Sequence, residues 1–130
     1  GNTLSSGGSS DATNVGAVWV FTRTNGVWSQ QGGKLLGSGN VGASTQGISL
    51  AMSDSGNTIF SGGSSDNSNR GAVWIFTRTN GVWSQIRDKI TTDIVNTRFG
   101  NAVSASSTSN TILIGATNES VNSGAAYIYV

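Results

Sequence analysis

The chain has 130 residues, seven basic against six acidic for a net charge of +1, and it contains no Cys, His or Pro. These absences exclude disulfides, zinc sites built on thiolate or imidazole, and any nucleophile–imidazole pair. The balance of charge, with no basic run longer than the Arg87-Asp88-Lys89 neighbourhood, argues against a nucleic-acid partner, and no apolar stretch approaches the roughly 20 residues of a membrane-spanning helix.

Gly, Ser, Thr and Asn dominate the rest, with 19 glycines, but four Trp, four Phe and regular Val/Ile runs mark those glycines as turns between strands. The reading is all-β. Along the chain, Gly1 to Asp11 is the first copy of a segment that returns at Gly56 to Asp66, an offset of 55 residues. Gly16 to Gln30 returns at Gly71 to Gln85 with one change, Val20 to Ile75, and over residues 1–30 as a whole 24 positions are identical in the second copy. A diverged third copy follows at an offset of 53: Phe99-Gly100 answers Gln46-Gly47, Asn110-Thr111-Ile112 answers Asn57-Thr58-Ile59, and Gly124 to Tyr129 answers Gly71 to Phe76. The chain therefore holds about two and a half repeats of 53–55 residues, divided as a partial unit over 1–45, a full unit over 46–98 and a partial unit over 99–130.

Within the full unit the spacing predicts strands at 47–53, 57–61, 72–79 and 82–86. Asp54-Ser55-Gly56 separates the first two, with Asp54 as the turn former. Asn80-Gly81, like Asn25-Gly26, predicts a two-residue hairpin, because a type I′ turn needs positive φ at both central positions. Ser64 to Arg70, with its counterpart Ser9 to Val15, reads as a longer polar loop. The strand at 72–79 is apolar on both sides: Ala72, Trp74 and Phe76 lie on one face, Val73 and Ile75 on the other. Such a strand needs a layer on each side, which tandem four-stranded antiparallel blades of a β-propeller supply. A sandwich or solenoid of the same hairpins is the alternative.

Gly1 aligns with the turn before a second strand and Val130 with the interior of a third, so the first unit is expected to lack its opening strand and the last its closing hairpin partner. Two expectations follow: the residues belong to a larger propeller, or copies self-associate through open blade edges to close a ring or build a fibre.

The pattern resembles the FG-GAP repeat, the blade of the seven-bladed propeller of integrin α-subunit heads and many bacterial surface proteins. The resemblance rests on Phe99-Gly100 with Gly115-Ala116 sixteen residues after Phe99, on Gln46-Gly47 with Gly62-Gly63-Ser64 at the same spacing, and on Gly7-Gly8-Ser9 in the first copy. Thr117 stands where the family has proline. Many members bind calcium between their first two strands through an alternating Asp/Asn series. Here those turns are Asp54-Ser55-Gly56-Asn57 and Ser106-Ser107-Thr108-Ser109-Asn110, and one carboxylate does not replace several, so no metal and no cofactor are expected.

The acids are Asp11, Asp54, Asp66, Asp88, Asp93 and Glu119. Asp11 and Asp66 occupy the same repeat position and are expected to serve their own loop's hydrogen bonding, while Asp88 joins a solvated charge cluster. No catalytic residue is assigned and the chain is expected not to be an enzyme. Trp19 and Trp74, mid-strand in apolar runs, are expected in the core. Trp28 and Trp83, beside Ser and Gln on the outer strand, are the candidates for ligand contact, with Arg23 and Arg78 at their rim, because an open indole stacks on a sugar face. Asn118-Glu119-Ser120 is a glycosylation-type sequon, expected in the third copy of the polar loop, and hints at an extracellular or surface setting. The functional expectation is a non-enzymatic extracellular or surface interaction module that presents loops to a protein or glycan partner. The alternatives are a structural subunit of a fibre, coat or appendage, and the accessory propeller of a larger enzyme.

Overall fold

The period-two alternation and the Asn-Gly turns organise the described residues into ten strands. A computed structural model describes residues 1–120 and 123–130, and within them the chain is all-β, built of three antiparallel sheets. The first sheet contains β1 (Thr3–Gly8), β2 (Ala17–Thr24) and β3 (Val27–Gln30) in that order. The second contains β4 (Ser49–Met52), β5 (Thr58–Gly63), β6 (Ala72–Thr79) and β7 (Val82–Gln85). The third contains β8 (Phe99–Ala105), β9 (Ile112–Ser120) and β10 (Ser123–Tyr129).

Register follows the repeat. Ser6 pairs with Trp19 as Ser61 pairs with Trp74, and Arg23 pairs with Trp28 as Arg78 pairs with Trp83. The hairpin turns have the geometry that their sequence predicts: φ is 51° at Asn25 and 83° at Gly26, 50° at Asn80 and 80° at Gly81. The sequence pattern does not show that β2 and β6 each have two partners on one edge. Beyond the short β3, Leu35 returns to exchange backbone hydrogen bonds with Val18, and Ile90 does the same with Val73.

The three sheets pack face on face. Here the front of each sheet is the face carrying Trp19, Trp74 or Tyr127, and the back is the other. The back of the first sheet, through Val18 and Val20, meets Ile59 on the front of the second, with Leu35 and Trp83 closing the cluster around them. Ala72, Trp74 and Phe76 continue that same front. The back of the second sheet, through Phe60, Val73 and Ile75, packs on Phe99, Ile112, Ile114 and Ala116 of the third, where Tyr127 and Tyr129 stand edge-on to the Phe99 ring. The two apolar faces of β6 thus belong to two different cores, as its sequence requires.

Close approach explains one recurring glycine. A Cβ added at Gly7 would lie 2.0 Å from the carbonyl oxygen of Gly47, and one added at Gly62 would lie 1.9 Å from that of Gly100. No side chain fits there without separating the sheets.

Two segments depart from expectation. The polar loops at 9–15 and 64–70 contain four-residue turns, Asp11–Asn14 and Asp66–Asn69, in which three successive residues are left-handed: φ is 47°, 61° and 66° at Ala12, Thr13 and Asn14, and 48°, 57° and 66° at Asn67, Ser68 and Asn69. Each non-glycine residue held there costs about 1–2 kcal/mol, offset by backbone bonds that tie the turns to neighbouring segments. In the third copy the sequon is not in a loop: β9 runs through Asn118 and Glu119 as far as Ser120, because its strand pairing with β10 extends to Ser120 and Ser123. The rest of that expected loop includes Val121 and Asn122, which lie outside the described residues.

Candidate functional site

The antiparallel order separates the molecule into two ends. The Asn-Gly hairpin turns lie at one end, and the left-handed turns lie at the other together with the connectors that precede β4 and β8.

At the hairpin end the four candidate contact residues form two cross-strand pairs. The guanidinium of Arg23 lies 5.3 Å from the Trp28 ring centroid, and that of Arg78 lies 5.2 Å from that of Trp83, within range of cation–π attraction. Each arginine is anchored identically, its Nε donating to Asn2 Oδ1 at 3.1 Å in the first copy and to Asn57 Oδ1 at 2.9 Å in the second. Their surroundings differ. Arg23 and Trp28 are exposed, whereas Arg78 and Trp83 are half-buried under the first sheet. There the Gln31 side-chain oxygen accepts from Arg78 Nη1 at 2.8 Å and from Trp83 Nε1 at 3.0 Å, and Thr3 Oγ1 accepts from Arg78 Nη2 at 3.1 Å. The second pair is thus a structural clamp between sheets. The first pair presents the same converging donors to its surroundings, a fork suited to a carbonyl or carboxylate oxygen. The role of Gln31 escapes the repeat comparison, since Ile86 stands at the matching position.

At the other end, backbone bonds join the loops and connectors into one surface. Thr45 donates to Asn14 at 2.8 Å, Asn67 to Val41 at 2.9 Å, and Arg98 to Asn69 at 2.8 Å. Asp66, expected to serve its own loop, instead reaches across it. Its buried carboxylate accepts from the Val41 N–H at 2.8 Å and pairs with Lys89 at 2.5 Å, so it fastens two connectors to the loop. Asp11 makes the equivalent pair with Lys34 at 2.5 Å in a more open setting. The signal for these partners was in the sequence, because Lys34 and Lys89 repeat at the same offset as Asp11 and Asp66. Next to this surface, Asn96, Arg98, Thr117 and Asn118 line a polar cleft of about 330 Å³. The sequon residue Asn118 is half-buried in it, and its side-chain nitrogen donates to the Asn96 carbonyl at 3.0 Å. None of the four stands out by residue type, and only the return of the 92–98 connector beside β9 groups them.

The other singled-out residues take structural positions. Trp74 is buried and its Nε1 donates to the Ser38 carbonyl at 2.9 Å, while Trp19, expected in the core as well, is only half-buried on the open front of the first sheet. In the Asp54 turn the side-chain bonds come from serines: Ser53 Oγ accepts from the Thr58 N–H at 3.1 Å and lies 3.0 Å from Ser55 Oγ. Ser106 repeats this in the third copy, accepting from the Thr111 N–H at 3.2 Å. The turn former is therefore the serine hydroxyl before Asp54, whose fixed geometry reaches the N–H five residues on. Glu119 accepts the Tyr127 hydroxyl, and that bond, with some burial, raises the Tyr127 phenol above its ordinary range. No helix among the described residues is long and apolar enough to cross a membrane. No family model matches this chain, and no curated protein matches it in sequence.

Proposed function

We propose that the chain is a non-enzymatic interaction module of the FG-GAP-like β-propeller kind, whose sheets are blades and whose loop end meets a protein or glycan partner at a cell surface or outside the cell. The observation that carries this reading is the fused loop surface. Strained left-handed turns recur in two copies and are bonded to the connectors of the next unit, and the second turn is bonded to Arg98, which lies exposed in a polar cleft. Strain of this kind persists only where surrounding structure over-determines it, and it concentrates at binding surfaces. Face-to-face stacking of antiparallel sheets, one of four strands between two of three, with a glycine at each point of backbone contact, supports the blade assignment and the resemblance of Phe99-Gly100 and Gly62-Gly63 to the family motif.

The test is a binding screen of the immobilised chain against a glycan array and a panel of cell-surface and matrix proteins, followed by the double variant Asn96→Ala/Arg98→Ala. A ligand whose affinity falls at least about tenfold in the variant, a loss of about 1.4 kcal/mol, is the expected result. A screen that finds no ligand, or ligands indifferent to these substitutions, refutes the reading.

A further inference from the structure

The molecule makes one contact twice, and it displays both halves of that contact a third time, uncovered. In the first instance the back of the first sheet covers the front of the second, and in the next the back of the second covers the front of the third. The front of the first sheet and the back of the third carry the corresponding residues, and no other sheet among the described residues covers them. Leu4 is 56% exposed where Ile59, at the same repeat position, is 0% exposed. Ile128 is 71% exposed where Ile75 is 8% exposed. Trp19 and Phe21 on the open front are half-buried, whereas Trp74 and Phe76 are buried.

The open back also retains the shape of the contact. Gly115 occupies the position of Gly7 and Gly62, where a Cβ would strike the carbonyl of the next sheet. At Gly115 such an atom meets nothing nearer than Ala102 Cβ of its own sheet, at 3.4 Å. Around it Leu113, Ala126 and Ala102 form an apolar hollow of about 160 Å³.

We infer that the front of the first sheet receives the back of the third sheet of a second copy of this chain, so that copies join head to tail. The occupant is identified by continuity with the two internal interfaces, in which the same face meets the same face. Charge allows it: Thr111, Leu113, Gly115, Ala126 and Ile128 on the open back are all uncharged, so Arg23 on the open front meets no like charge among them. Polar groups match as well. Thr111 is the third-copy counterpart of Thr3, and Thr3 Oγ1 accepts from Arg78 Nη2, so Thr111 is placed to accept from Arg23 of the second copy. Leu113 and Ile128 then cover Leu4, Phe21 and Trp28. Because the two faces are different, the contact is heterologous, and repeating it closes a ring or extends a filament. This inference rests on the stacking of the sheets and is independent of any partner at the loop end.

The test is native mass spectrometry and sedimentation of the 130-residue chain and of Leu4→Lys and Ile128→Lys, both at exposed positions, with near-UV circular dichroism as the check on folding. The wild type is expected to give multiples of 13.3 kDa that grow with concentration. Each variant alone is expected to lose at least about tenfold in association, corresponding to about 1.4 kcal/mol. Mixed together, the variants retain one intact front and one intact back, so they are expected to form a one-to-one dimer that grows no further. A wild type that stays monomeric at every concentration overturns the inference. So does association that survives both substitutions, or a mixture that gives no dimer.

Discussion

The hairpins spanning residues 17–30 and 72–85 differ at a single position, yet the front of one is an open surface and the front of the other an interface. Both set an arginine over a tryptophan across the strand pair, and both anchor that arginine on an asparagine. In the second, Gln31 and Thr3 of the preceding sheet complete the arrangement, and Trp74 beneath it is sealed by Leu35 and the Ser38 carbonyl. In the first, the same side chains remain partly or fully exposed. Near-identical local sequence thus produces identical strands, turns and cross-strand pairs, while a neighbouring sheet decides which copy is core.

The comparison breaks first, if it breaks, at the tryptophans. Trp74→Ala is expected to cost about 4 kcal/mol and Trp19→Ala about 2 kcal/mol, because the penalty scales with the buried contact removed and the cavity left. Denaturant unfolding followed by far-UV circular dichroism at low protein concentration measures both, and equal penalties would remove the distinction between the two copies. Raising the concentration sharpens it further, since head-to-tail association covers Trp19 and should enlarge its penalty alone.

A smaller penalty, with a gap at least as wide, is expected at the repeated ion pair. Removing Asp66 strands Lys89, 2.5 Å from its carboxylate, and frees the Val41 N–H, so Asp66→Ala is expected to cost about 3 kcal/mol, against less than about 1 kcal/mol for Asp11→Ala. The same unfolding experiment, repeated in high salt, should reduce the Asp11 effect and leave most of the Asp66 effect in place. The smallest gap belongs to the arginines. Arg78→Ala forfeits charged hydrogen bonds to Gln31, Thr3 and Asn57 and is expected to lower stability by about 2 kcal/mol, whereas Arg23→Ala is expected to change it by about 0.5 kcal/mol. Thermal melts of the two variants side by side would show whether Gln31 clamps the second pair as the geometry implies.

Much of the architecture was legible because it depends on neighbours along the chain. Asn25-Gly26 and Asn80-Gly81 dictate hairpins wherever they occur, and the alternation of Trp74 and Phe76 with Val73 and Ile75 requires a layer on each side of β6. The candidate contact residues Arg23, Trp28, Arg78 and Trp83 could be singled out by their place on the outer hairpin. Their pairing is a consequence of register, which the Asn-Gly turn sets. The loop end was less legible. Asn96, Arg98, Thr117 and Asn118 come from separate connectors and strands, and the left-handed turns at Ala12 and Thr13 defy the preferences of those residues. The sequon was expected in a loop but lies on β9, because strand pairing there extends beyond the point at which the other copies turn away.

By itself the amino-acid sequence determined the repeat, the strand and turn types and the two-sided apolar character of β6, since these follow from side-chain period and backbone preference over a few residues. Only the tertiary structure decided which Trp is core, which Arg is clamped, where Asp66 finds its partners and which two sheet faces remain uncovered. Those outcomes depend on packing partners 23 to 75 residues away along the chain, and a copied segment carries no record of its neighbour.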